Sequence, residues 1–234
     1  MVLPLNLAMT PAEVQCAASF PERIAWMACH FSETEEGLTD LPQQLPEGAM
    51  LILDDHKNCD GHDPELVVQQ LTDTVTQCGC ESVLLDFQRP HDAQTGAMVQ
   101  AIVNALPCPV AVTAAFARDL SCPVFLSPCP MHMALADYLK PWKDREIWLE
   151  AALCQEQAVV SKSGTGFRQP EELHDYTGGF YNDTLCCRYH TTVTDDSITF
   201  TLFDTAQTLR EKMARAMELG VSRFVGIYQE LDML

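Results

Sequence analysis

Apolar residues in this chain gather into runs of six to nine positions, bounded by polar and turn-forming residues, with amphipathic stretches between them. The pattern predicts strands at 23–31, 49–55, 82–87, 109–116, 123–129, 146–154, 198–204 and 223–231. Between them, DPELVVQQLTDTVTQCG carries Asp63 and Pro64 at cap and first-turn positions and closes on Gly79, as a helix does. TAQTLREKMARAMELG aligns Leu209, Met213, Ala216 and Met217 as an apolar stripe that ends at Gly220. Further helices are predicted in HDAQTGAMVQAIVNAL and MALADYLKPW.

Eight strands with helices between them, in 234 residues, predict one domain over 1–234 with a small (β/α)8 TIM-like barrel fold. The rival, an open doubly wound sheet, lacks its usual support: no strand leads into a glycine-rich phosphate-binding turn, and neither GxGxxG nor GxxxxGK[ST] occurs. The runs at 49–55, 82–87 and 223–231 read as buried on both faces, so they are expected parallel in one closed sheet. Two irregularities modify the picture. Only ARDLSC separates the fourth and fifth strands, too short for a full helical crossover. Residues 155–197, by contrast, form a long polar segment rich in Gly, Thr, Asp and Tyr, expected as a loop or hairpin insertion before the seventh strand, 198–204.

Composition narrows the function. A 47% hydrophobic content supports one substantial core, and 33 acidic against 14 basic residues give a formal charge of -19. That charge repels phosphate backbones and anionic bilayers, so neither nucleic acid nor membrane is an expected partner. No apolar stretch is long enough to cross a bilayer, which predicts a soluble protein. Eleven cysteines, an odd number, in a chain whose N-terminus lacks the pattern of a secretory signal, read as reduced thiols in a cytoplasm.

In a parallel barrel the C-terminal strand ends form the working face. Alternation places Leu84, Asp86 and Gln88 on the side facing the mouth, and Val83, Leu85 and Phe87 on the other. Asp54, Asp55 and His56 end the second predicted strand, Glu150 and Glu156 lie on or just beyond the sixth, and Tyr228 and Glu230 end the eighth. Acids and aromatics converging on one mouth suit a neutral, hydroxyl-rich ligand such as a small saccharide or an oligosaccharide. Tyr176, Phe180 and Tyr181, in the long polar segment, are the better stacking candidates, whereas Trp26 and Trp148 sit mid-strand as core fillers.

The run ESVLLDFQ resembles a degenerate form of the fourth-strand signature DxxDxDxE of family-eighteen glycoside hydrolases, the chitinase-like enzymes. The closing stretch FDTAQTLREKMARAMELGVSRFVGIYQELD is similar to that family's last helix and strand. The resemblance implies a TIM barrel acting on or binding carbohydrate, and it implies no cofactor. Position by position, Glu81 and Leu84 replace the first two signature acids, Asp86 matches the third, and Gln88 stands where the proton-donating Glu belongs. Tyr228 would be the counterpart of the aromatic on the floor of the sugar site. Two predicted strands precede the signature where the family has three, so LPLNLAM would have to supply another.

The family's hydrolysis is substrate-assisted: the sugar's acetamido oxygen attacks, an Asp orients it, and the Glu protonates the leaving oxygen. A carboxamide has no titratable proton, so Gln88 cannot be that acid, although it can still donate and accept hydrogen bonds. The expectation is a glycoside-hydrolase-like barrel without the family's catalysis. The alternatives are a non-catalytic carbohydrate-binding barrel, a pseudoenzyme, or a metal-dependent TIM-barrel hydrolase using Asp54, Asp55 and His56. LDDHKNCDGHD offers oxygen and imidazole ligands for such a metal, but its spacing matches no established motif and no metal is assigned. A cysteine nucleophile, Cys129 or Cys154, would need a base such as His132. The oligomeric state is not legible.

Overall fold

The structure is a computed structural model that describes residues 3–16, 24–170 and 176–231. In chain order its strands begin with β1 (Leu5–Met9), β2 (Ile24–Phe31), β3 (Leu38–Thr39), β4 (Met50–Asp54), β5 (Ser82–Asp86), β6 (Val110–Thr113), β7 (Val124–Leu126) and β8 (Ile147–Glu150). There follow β9 (Gln155–Ser161), β10 (Gly164–Arg168), β11 (Phe180–Asn182), β12 (Cys187–Val193), β13 (Ser197–Phe203) and β14 (Val221–Ile227). The helices are α1 (Pro11–Cys16), α2 (Pro64–Cys78), α3 (Ala93–Ala105), α4 (Ala114–Ala117), α5 (Leu135–Leu139), α6 (Ala206–Glu218) and α7 (Tyr228–Leu231).

Strands β1, β2, β4, β5, β6, β7, β8 and β14 pair in parallel, and β1 pairs with both β14 and β2, which closes an eight-stranded barrel. Alternation sorts the side chains into two layers. Ala25, Met50, Ile52, Leu84, Ala111, Phe125, Trp148 and Val225 fill the interior, while Leu51, Leu53, Val83, Leu85, Ile147 and Leu149 face the surrounding helices. Trp148 is therefore a core filler, as expected, and Trp26 lies half-buried with its indole N–H on the Asp40 carbonyl at 3.0 Å. The runs at 49–55, 82–87 and 223–231 supply β4, β5 and β14, parallel in the one closed sheet.

One strand is reassigned to another sheet, and two others give way to helix at their ends: 114–116 of the predicted 109–116 belongs to α4, and 228–231 of the predicted 223–231 to α7. The stretch 198–204 forms β13, which pairs antiparallel with β9 and β12 in a second sheet and is not a barrel strand. LNLAM forms β1 and completes the barrel, so three barrel strands precede β5 and Asp86 ends the fourth. The 155–197 segment is correspondingly more than a loop or hairpin: it opens a five-stranded antiparallel sheet, ordered β10-β9-β13-β12-β11, that runs on to Phe203.

The short crossover after β6 is the four-residue α4. With so little helix to carry the link, Arg145 holds it, donating to the carbonyls of Ala117, Leu120 and Cys122. At the chain's end, α7 folds back on β14 beside Gly226, where an added methyl would overlap the Leu231 side chain and the Ala151 carbonyl oxygen. Gly226→Ala is expected to destabilise the fold by about 1–3 kcal/mol, because backbone cannot yield as a flexible side chain would. Urea unfolding measures it, and an unchanged midpoint would show that α7 moves aside freely.

Candidate functional site

Most interior rows of the barrel end in polar groups, and one ends in Ile227. Met50 and Ile52 are followed by Asp54, Leu84 by Asp86, Ala111 by Thr113, Trp148 by Glu150, and Val225 by Ile227, all at the C-terminal mouth. Asp54 and Asp86 stand at the same level on neighbouring strands. Asp54 Oδ2 meets His30 Nδ1 at 2.8 Å, and its Oδ1 accepts the backbone N–H of His56 at 2.9 Å. Asp86 Oδ1 accepts the carboxamide N–H of Gln88. Burial pushes the Asp86 carboxyl above its ordinary range, and the charges of Asp54 and Asp55 add to it, against the hydrogen bond from Gln88.

Glu150 faces these groups from the far wall. Burial, then the carboxylates of Asp86 and Glu230, push its pKa up to about 7. Glu230 reaches that neighbourhood from α7, on the exposed side of the rim. Asp54, Asp86, Glu150 and Glu230 thus lie around one mouth, with Gln88 hydrogen-bonded to Asp86.

Four other expectations fare differently. Asp55 is buried and spends its carboxylate on the loop after β5, accepting the backbone N–H groups of Gln88 and Arg89 at 2.8 Å each. It braces the mouth and does not line it. Glu156 is buried in the seam between barrel and second sheet, where its carboxylate accepts His132 N–H at 2.9 Å and contacts His132 Nδ1 at 2.8 Å. Tyr228, the first residue of α7, packs with Met9, Ile24 and Val14 against the outer wall of β1 and β2. The residue on the inward face is its neighbour Ile227, 38% exposed, so the aromatic-floor assignment is displaced by one residue, which in a strand means the opposite face. Finally, Asp54, Asp55 and His56 do not converge: Asp54 is held by His30, Asp55 by backbone amides, and His56 is exposed, and no group of three metal-binding side chains is found among the described residues.

The cysteine pairing does not form either. His132 is engaged by Glu156, and the Cys129 thiol lies against the carbonyls of Pro130 and Met133 with its pKa pushed up to about 11, chiefly by burial. Of the stacking candidates, Tyr181 donates to Glu211 at 2.9 Å, Tyr176 packs on His190 and Phe203, and Phe180 lies 66% exposed beside Tyr189. They build the second sheet. A groove of about 270 Å³ on that sheet is lined by His132, Phe167, Asn182, Tyr189 and Phe200. Beside the mouth, a wider cleft of about 1030 Å³ runs between the loops after β2 and β4, lined by Glu33, Glu36, His56, Lys57 and Arg89 among others.

Alternation alone misses His30. Counting inward from Ala25 selects Met27 and Cys29, but a register shift between Trp26 and Cys29 turns Cys29 outward and His30 to the mouth.

No family model matches the chain, and no curated protein does. Solved structures do match in fold, among them a family-eighteen glycoside hydrolase. The Bacillus cereus spore cortex-lytic enzyme SleL aligns at 11% identity with a TM-score of 0.54, over 96% of this chain and 70% of that one. A chitinase from Chromobacterium violaceum aligns at 9% identity and a TM-score of 0.55, over 96% of this chain and 93% of that one. The family-eighteen chitinase of Cycas revoluta, solved with (GlcNAc)3, aligns at 9% identity and 0.55, over 99% and 96%. The fold is theirs.

Proposed function

We propose that this chain is a glycoside-hydrolase-like barrel whose mouth binds a hydroxyl-rich, N-acetylated saccharide and does not cut it by the family's route through position 88. The carrying observation is Asp86: it ends the fourth barrel strand, where the signature's third acid belongs, with its carboxylate held by a carboxamide and not by a second acid. The fold likeness supports the ligand class. The Cycas revoluta chitinase was solved with (GlcNAc)3, and a doubly substituted variant carrying a Glu-to-Gln change was solved with (GlcNAc)4. A glutamine is thus compatible with a bound N-acetylated sugar in such a barrel.

The metal-dependent alternative loses support because its three residues point apart. Charge still argues against nucleic acid and anionic bilayers as partners, and no helix among the described residues is long and apolar enough to cross a membrane. The ten cysteines whose side chains are described are free thiols, which fits a reducing, cytoplasmic setting.

Calorimetric titration with N-acetylated and plain oligosaccharides tests the reading. Binding of the N-acetylated series is expected, and Asp86→Asn should weaken it by about 1–1.5 kcal/mol, the difference between a charge-assisted hydrogen bond and the neutral one that replaces it. Equal affinity in both proteins would place the ligand elsewhere, with the groove on the second sheet the next candidate.

A further inference from the structure

Position 88 holds no acid, yet the mouth holds one on its opposite wall. Glu150 follows Trp148 by two residues on β8, so its side chain continues the interior row and emerges at the mouth. No hydrogen bond among the described residues ties down its carboxyl, whereas His30 occupies Asp54, Gln88 occupies Asp86 and His132 occupies Glu156. A half-buried carboxyl at the end of an interior row, left without a hydrogen-bond partner, is available to a ligand that enters the mouth.

We propose that Glu150 is the proton donor of this site, supplying from β8 what Gln88 cannot supply from beyond β5. The inference rests on the carbohydrate reading above and adds slow hydrolysis to it. As the glycosidic C–O bond breaks, the Glu150 O–H proton passes to the leaving oxygen, and the acetamido oxygen of the same sugar closes on the anomeric carbon. Asp86 faces the cationic oxazolinium so formed. Water then attacks the anomeric carbon as its bond to the acetamido oxygen breaks and the acetamide re-forms, and the water gives a proton to the Glu150 carboxylate, so the net change is the addition of one water across the glycosidic bond.

The surroundings keep a large share of Glu150 protonated near neutral pH. Burial and the carboxylates of Asp86 and Glu230 hold the Glu150 pKa at about 7, in the range that suits a general acid. The other titratable groups around it are the Tyr138 hydroxyl of α5, the Cys154 thiol just after β8, and the Lys212 ammonium of α6, which lines the same small cavity. The phenol and thiol are themselves pushed up, to about 12 and about 11, so neither ionises before Glu150 does.

The experiment compares the wild-type protein, Glu150→Gln and Gln88→Ala on aryl N,N'-diacetylchitobiosides with graded phenol leaving groups, after circular dichroism has shown each variant folded. Protonation matters most for a poor leaving group. Glu150→Gln is therefore expected to lose roughly 10²–10⁴-fold on the least activated substrate and little on the most activated one, while Gln88→Ala keeps the wild-type slope. Wild-type kcat/KM should fall as pH rises through about 7, and that limb should vanish in Glu150→Gln. A uniform loss across the series, no loss, or a surviving pH limb overturns the proposal. Chitobioside binding by calorimetry with no phenol released by the wild type would overturn it while leaving the carbohydrate reading standing. Absence of binding would remove both.

Discussion

Lys212→Met is expected to destabilise the protein by about 3–5 kcal/mol, the usual cost of stranding a buried charge. The Asp204 side chain is 0% exposed and that of Lys212 is 11% exposed, with Lys212 Nζ 2.8 and 2.9 Å from the two Asp204 oxygens. Thr208 adds a hydroxyl donor to Asp204 Oδ1 at 3.1 Å. Burial alone would lower the Lys212 pKa, but the charge and hydrogen bonds of Asp204 more than reverse this, and the ammonium ends above its ordinary value. Removing it leaves a carboxylate with no counter-charge at the junction of β13 and α6, where the second sheet returns to the barrel. The double variant Asp204→Asn with Lys212→Met should recover much of the loss, because a neutral amide retains the Thr208 contact without the unpaired charge. Urea unfolding of the single and double variants gives the comparison. A single-variant loss under about 1 kcal/mol would mean that water reaches Asp204 and that the junction is looser than its packing indicates.

This junction also marks the limit of what the chain announces locally. An apolar run such as SVLLDF becomes a strand wherever it lands, so the existence of most strands was legible. Which sheet each strand joins was not. ITFTLFD alternates like a half-buried strand, and only its pairing with β9 and β12 places it outside the barrel. LNLAM is only five residues long, and its membership in the barrel follows from closure between β14 and β2. The site divides in the same way. Asp86 and Glu150 follow from strict alternation beside Leu84 and Trp148. His30 is hidden by a bulge, and Tyr228 by a shift of one residue at the end of β14. Glu156 was misplaced because its partner, His132, is 24 residues away in sequence and meets it only across the seam.

Glu150 should also make the protein less stable as the pH rises. Its folded pKa of about 7 lies above the roughly 4.3 of an unfolded glutamate, so between those values the folded state keeps a proton that the unfolded chain has released. The contribution to stability is therefore complete below about pH 4.3 and is lost as the pH climbs through about 7, beyond which it no longer changes. Glutamine keeps the shape of the protonated acid without the charge, so Glu150→Gln should match the wild type near pH 4 and exceed it at pH 8. A full conversion of the shift would overstate the gain, because the carboxyl is only half-buried and water screens it; about 1–2 kcal/mol is the expected difference at pH 8. Asp86 contributes in the same direction, since its pKa is also raised and loss of the Glu150 charge relieves it. Thermal melts of both proteins from pH 4 to 8 measure the divergence. Parallel curves would show that Glu150 is ionised and well solvated in the folded mouth, and they would remove the electrostatic basis for its role as proton donor. Divergent curves would mean that the fold gives up stability at neutral pH to hold a protonated carboxyl opposite Asp86.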